Sequence, residues 1–256
     1  DIPDYGLPFT PNGSKANPSQ PVDVPHENFY GFSNDFFEQD IKTLNLNISH
    51  KISDALTLRN QTQFQDVQTK AAPTVFSGVT NTTVNRSRRE REQNDSSLFN
   101  QTDLIIKATT GSVAHEITTG VEIGVDEYER IGYDWAGLPS QTLLNPTYDP
   151  TPSTATRNLS ASRTENEADT LAFYINETAK LNAHWQAILG VRWDRFAVTS
   201  KSIHNTTGVV TPLSRDDDMP SVRAGIIYQP KRSHSYYFSY GTSFNPSGEA
   251  LTLSSS

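Results

Sequence analysis

The sequence predicts an all-β chain whose strands run up and down in antiparallel order. Three observations predict it. Apolar and polar residues alternate at period two over long runs, the mark of strands with two unlike faces. Tight turns alternate along the chain with long polar stretches. No helix-period segment is long enough to carry a crossover between parallel strands, so each connection joins antiparallel neighbours.

The elements follow in order. Residues 1–34, rich in Pro, Gly and Asn, read as a loop. From Thr43 the run T-L-N-L-N-I-S-H-K-I sets Leu44, Leu46, Ile48 and Ile52 against Asn45, Asn47 and Ser49. Ser53-Asp54 turns the chain, and the return strand sets Leu56, Leu58 and Phe64 against Thr57, Arg59, Gln61 and Gln63. A polar stretch at 71–84 reads as the next loop. Leu104, Ile106 and Ala108 then alternate with Asp103 and Lys107. After the turn Thr110-Gly111-Ser112, Ile117, Val121, Ile123 and Val125 oppose Glu116, Glu122 and Asp126. Beyond a loop at 132–157, Leu171, Phe173 and Ile175 lead to a turn near Asn182-Ala183. Trp185, Ala187, Leu189, Val191 and Trp193 follow, opposite Gln186, Arg192 and Asp194. Beyond a loop at 203–218, Val222, Ala224, Ile226 and Tyr228 pass through Pro230-Lys231-Arg232 into Tyr236, Phe238 and Tyr240. The expectation is eight strands in four hairpins, with no linker dividing the chain.

Only 34% of residues are hydrophobic and the mean hydropathy is −0.57, low for a soluble chain of 256 residues. Disorder is argued against by 12 Phe, 10 Tyr and 3 Trp set in β-prone segments. A folded β-protein that does not hide its polar residues from water fits better. No run of about 18 apolar residues exists, which excludes a transmembrane helix. The opening Asp1-Ile2-Pro3-Asp4 lacks the features of a signal peptide and reads as a cut or mature end. A net charge of −8 argues against nucleic acid as a partner. Arg86, Arg88, Arg89 and Arg91, interrupted by Glu90 and Glu92, read as a solvated strand face. The absence of Cys excludes disulfides, thiolate zinc sites and thiol nucleophiles.

Alternation fits two architectures. In a soluble sandwich the apolar face meets a second sheet, whereas in a membrane barrel it meets lipid and the polar face lines a wet lumen. Some strands run for about 15 residues, against about five or six in soluble folds. Trp185, Tyr228, Tyr236 and Tyr237 gather beside tight turns, where an interfacial girdle would lie. Both features, and the sequential connections, favour an antiparallel up-and-down transmembrane β-barrel with short periplasmic turns and long extracellular loops. A surface-exposed β-structured binding or adhesion protein remains the alternative, with a passive porin as a third.

The same segments resemble TonB-dependent receptors, most closely the branch importing ferric siderophores. The likeness is carried by P-D-Y-G-L-P at 3–8, N-F-Y-G-F at 28–32 and the strand-turn-strand string at 40–60. It continues in N-Q-T-D-L at 100–104, H-E-I-T-T-G-V-E at 115–122, L-G-V-R-W-D-R-F at 189–196 and S-Y-G-T-S-F-N-P-S-G-E at 239–249. These run in order over nearly the whole chain. Receptors of this kind have 22-stranded barrels with a plugged lumen. The resemblance implies that residues 1–256 are part of such a barrel domain in a Gram-negative outer membrane, without the plug or the C-terminal strands. It implies a ferric siderophore as cargo, outer-membrane lipid as surroundings, and energy from a TonB-ExbB-ExbD complex acting through the plug. Iron would travel as the siderophore chelate, so no cofactor is expected.

No catalytic constellation appears: there is no G-x-S-x-G, H-E-x-x-H or Walker loop, and an enzyme is not expected. His26, His50, His115, His184, His204 and His234 are scattered singly. Asp216, Asp217 and Asp218 lack calcium-loop spacing and read as a solvated loop charge run. Glu165 and Glu167 share a strand face without any sign of acid–base work. Several Asn-x-Ser/Thr strings, at Asn60 and Asn176 among others, read as chance matches in a chain rich in Asn and Thr. The expected ligand contacts are the loop aromatics Phe29, Tyr30, Phe76, Tyr133, Trp135 and Tyr148, whose rings suit planar catechol-like groups. The competing expectation for each is loop-on-loop packing.

Overall fold

In the computed structural model, which describes residues 8–9 and 20–246, the alternating runs form the expected hairpins. The long strands are β1 (Phe37–Lys51), β2 (Leu56–Ala71), β4 (Thr83–Thr110), β5 (Val113–Ala136), β8 (Ser162–Lys180), β9 (Trp185–His204), β10 (Val210–Lys231) and β11 (His234–Gly241). Short strands β3 (Thr74–Val79), β6 (Gln141–Thr142) and β7 (Thr156–Leu159) lie in the connections. The long strands pair antiparallel in the order β1-β2-β4-β5-β8-β9-β10-β11, while β3 and β6 pair with β4, and β7 with β5. Among the described residues the sheet stays open, with β1 and β11 at its edges. The string at 3–8 apart from Pro8, and the end of the string at 239–249, lie outside the described residues.

The sheet is inside out by soluble standards. Leu44 (67%) and Leu189 (57%) are typical of an apolar face left exposed along its length. On the opposite, polar face Asp103, Ala168 and Ala172 are fully buried. Among the described residues no second sheet covers the apolar rows, as a sandwich would require. The hydrophobic clusters are correspondingly small. Ala168, Phe196 and Val198, with Met219, form one on the polar face, and a second sits among the loops.

Two of the expected loops are mostly strand, and a third is strand at its two ends. The stretch 71–84 contains β3, and β4 starts at Thr83. The stretch 203–218 shrinks to residues 205–209 between β9 and β10. Residues 132–136 continue β5, and 156–157 open β7. The reason is physical: a strand that stands in water on both faces needs no alternation, so a polar, Thr- and Asn-rich run loses its period-two signature. Asp216, Asp217 and Asp218 are therefore β10 residues, paired with Ala197, Phe196 and Arg195. Pro212 and Pro220 are tolerated there because, among the described residues, β11 joins β10 only from Arg223 onward.

One repeat shows only in the register. Asn60-Gln61-Thr62 on β2 and Asn100-Gln101-Thr102 on β4 lie antiparallel, so that Asn60 faces Thr102 and Thr62 faces Asn100. The Asn and Thr side chains share the apolar face with Leu58, Phe64, Leu98 and Leu104. The Asn60 amide donates to Asn100 Oδ1 (3.1 Å) and Thr102 Oγ1 (2.8 Å), and the Asn100 amide donates to Asn60 Oδ1 (3.2 Å) and Thr62 Oγ1 (2.7 Å). The two hydroxyls donate to the amide oxygens at 3.3 Å, closing the ring. The side-chain polar hydrogens are thus used within the quartet, which makes four polar groups tolerable amid apolar neighbours.

Candidate functional site

The loop end is assembled around two arginines. Arg86 and Arg88 stand two residues apart on β4, so both point the same way, and both are buried, Arg88 to 4% exposure. The expected solvated face is thereby corrected for these two positions. Arg86 donates from Nε to the Pro139 carbonyl (2.9 Å) and from Nη1 towards the carbonyls of Tyr30 (3.4 Å) and Gly31 (3.5 Å), with its guanidinium 3.8 Å from the Phe32 ring centre. Arg88 donates to the carbonyls of Ala72 (3.2 Å) and Asn34 (2.6 Å) and to the Thr151 hydroxyl (2.7 Å), and lies 3.5 Å from the Asp35 carboxylate. Burial lowers the pKa of both arginines, and the charge of Asp35 works against that shift. Asp35 also accepts the backbone N–H groups of Phe32 (3.3 Å) and Thr74 (2.9 Å). The segment 20–36, the start of β4 and the loop after β5 are therefore held as one body.

The expected aromatic contacts divide into three groups. Tyr30 is 3% exposed, its hydroxyl donates to the Leu143 carbonyl (2.6 Å), and its ring meets Phe76 edge-on at 5.6 Å. Both belong to the cluster of Val24, Val84 and Leu143 that supports the loops. Tyr133 and Trp135 are half-buried on β5. Arg157 stacks 3.4 Å over the Tyr133 ring and donates to Glu90 Oε1 (2.7 Å), while the Trp135 indole donates to Glu90 Oε2 (2.8 Å). Burial pulls the Arg157 pKa down, but its hydrogen bond and charge pairing with Glu90 outweigh this and leave it raised. Phe29 (41%) and Tyr148 (64%) are exposed and meet edge-to-face at 5.5 Å. Gly31 makes the Phe29 position possible: a Cβ there would fall 2.3 Å from the ring and 2.8 Å from Asp35. Asn28 ties the pair's base to the carbonyls of Leu143 (3.4 Å) and Leu144 (3.1 Å).

A second polar array lines the wall below. Asp103 accepts Arg59 (2.8 Å and 2.5 Å), Gln101 (3.1 Å) and the Tyr174 hydroxyl. Alongside it, Arg192 pairs with Glu122 (3.0 Å) and Asp194 (2.7 Å). Gly120 opens the space where these meet, since a Cβ there would stand 2.5 Å from the Tyr174 hydroxyl and 2.7 Å from Asp103. The alternation showed that these residues share a polar face. Their convergence needed the cross-strand register, and Asp35 with Arg88 left no local sequence signal at all. Among the described residues no cluster of His, Asp and Glu is arranged to hold a metal ion.

Comparison with known proteins agrees with this geometry. The family described as TonB dependent receptor-like, beta-barrel, matches residues 1–255. The catecholate siderophore receptor Fiu of Escherichia coli K12 is 26% identical over 96% of this chain. The probable TonB-dependent siderophore receptor PiuA of Acinetobacter baumannii is 23% identical over 97%. This chain spans 36% of the length of each. The crystal structure of PiuA superposes with a TM-score of 0.78 at 19% identity, covering 92% of this chain and 36% of that one. The open form of Fiu gives 0.77 at 24% identity, covering 88% and 38%. The apolar face of the sheet is lipid-facing wall and its polar face is lumenal, because the chain belongs to the TonB-dependent receptor-like β-barrel family of the Gram-negative outer membrane.

Proposed function

We propose that this chain supplies wall and rim to a receptor that imports ferric siderophore complexes with energy delivered by TonB. The family match over residues 1–255 carries the proposal. The rim supports it by presenting Phe29 and Tyr148 as exposed rings on a firmly tied base, a geometry suited to a flat aromatic chelate. The catecholate class is favoured because the E. coli relative is named for it. Within this proposal Tyr133 and Trp135 border the ligand, Tyr30 and Phe76 hold the platform beneath it, and iron arrives already chelated. The family is one of transport receptors, and no reaction is assigned to the chain.

The test uses the full-length receptor containing this chain, expressed in cells lacking their own catecholate receptors. Uptake of radiolabelled ferric catecholate is expected, and it should vanish when TonB is deleted. F29A/Y148A should raise the half-saturating concentration by about tenfold or more, the scale of losing two aromatic contacts of about 1 kcal/mol each. Uptake that persists without TonB would support the passive-porin alternative instead.

A further inference from the structure

The β10–β11 hairpin is chemically unlike the rest of the chain. The protein carries a net charge of −8, yet no Asp or Glu occurs between Asp218 and Glu249. Lys231 and Arg232 stand at the hairpin's turn, exposed, and neither makes an ion pair among the described residues. Of the other turns, Lys51 is paired with Asp54 at 2.5 Å, Thr110-Gly111-Ser112 carries no charge, and Lys180 before the turn at 181–184 stands on the polar face, in register with Gln186.

Next to this turn, three outward-facing rings stack across three strands. Trp185 on β9 is in register with Tyr228 on β10, which is in register with Tyr236 on β11. Ring centres are 4.4 Å apart at 27° for the first pair and 6.5 Å at 25° for the second. All three are exposed, and their polar tips make no hydrogen bond to the protein among the described residues. An aromatic ladder with free hydroxyls beside unpaired cations, at the short-turn end of a lipid-facing wall, combines an apolar seat for glycerol and upper acyl carbons with positive charge at phosphate height.

We infer that this corner of the wall holds an anionic phospholipid of the periplasmic leaflet, its phosphate at Lys231 and Arg232 and its glycerol region on Trp185, Tyr228 and Tyr236. Phosphatidylethanolamine fits less well, because its own ammonium would sit against the two cations. The inference rests on the outer-membrane barrel assignment of the wall.

The experiment takes the purified full-length receptor in mixed micelles of phosphatidylglycerol and phosphatidylethanolamine at equal concentration, and counts retained lipids by native mass spectrometry. Wild type should retain phosphatidylglycerol preferentially. K231Q/R232Q should lower that retention roughly fivefold for each cation removed. W185L/Y236L should lower it with the cations intact, and K107Q/K180Q, which removes cations of the same end on the opposite, polar face, should match wild type. Heat-modifiable mobility on gels verifies that each variant has a folded barrel. No preference in the wild type, or an equal loss in K107Q/K180Q, overturns the inference while leaving the barrel intact. Failure of the wild type to enter bilayers of either lipid overturns the barrel assignment itself, and the inference with it.

Discussion

Asp35 and Arg88 show what a single buried charge does at the rim. Arg88 is hydrogen-bonded to three partners, but among the described residues only Asp35 lies within ion-pair distance of it, and both side chains are almost wholly shielded from water. Removing one member of such a pair leaves the other uncompensated, at a cost of about 3–5 kcal/mol. D35A is therefore expected to loosen residues 20–36 and the loop after β5, read as faster amide exchange there with the lower hairpins unchanged. Equal exchange in both proteins would show that the rim does not depend on this pair. G120A tests the wall in the same way. The added methyl would force apart Tyr174 and Asp103, and a loss of about 1–3 kcal/mol in urea unfolding from lipid vesicles is expected. Neither position was legible in the sequence. A lone Asp in a loop and a Gly in a strand carry no mark of the distant group that makes them necessary.

At the scale of elements, the Asn-Gln-Thr repeat pins β2 against β4. A slip of either strand would turn its residues to the opposite face and break the ring. The energetics are asymmetric. Replacing Asn100 alone with Leu strands the partners of its amide in an apolar setting and should cost about 1–2 kcal/mol. Replacing all four with aliphatic residues removes the polar groups together, so the quadruple variant should recover most of that loss. Unfolding of the two variants by urea in vesicles distinguishes the cases, and a quadruple variant weaker than N100L would show that the ring contributes beyond satisfying itself. The hairpins themselves were readable from alternation, because Leu44, Leu104, Phe173 and Val222 must all face lipid while their neighbours do not. What escaped reading was where the strands stop. Above the apolar rows both faces meet water, and Thr74–Val79 or Val210–Asp218 then resemble loop.

For the whole molecule, charge and exposure are sorted by height. Acidic residues crowd the outward face above the apolar rows, where Glu127 pairs in register with Glu167, and Glu129 with Glu165. At the opposite, turn end the β10–β11 hairpin carries Lys231 and Arg232 and no carboxylate. The three tryptophans sample this axis: Trp135 at the rim, Trp193 stacked on Phe173 at 6.0 Å within the apolar face, and Trp185 beside the turns. In single-tryptophan variants of the full-length receptor, lipids brominated on the acyl chain should quench Trp193 and Trp185 and spare Trp135. Quenching of Trp135 would place the bilayer wrongly. The sheet order was predictable because every connection is sequential. The rim was not, because its contacts join segments far apart in sequence through backbone carbonyls, which no residue pattern encodes.

The length of β4 and β5 has one more consequence. β5 continues from Glu127 to Ala136 beyond Val125, after which its outward row turns acidic at Glu127 and Glu129, and β4 accompanies it. At about 3.3 Å per residue and a barrel tilt near 40°, that lifts the rim roughly 25 Å clear of the hydrocarbon. A platform at that height projects among the surface sugars of the cell rather than below them. It is thus the part of the molecule that an antibody would touch first, and selection by it would act on the same few exposed rings proposed to meet the ligand.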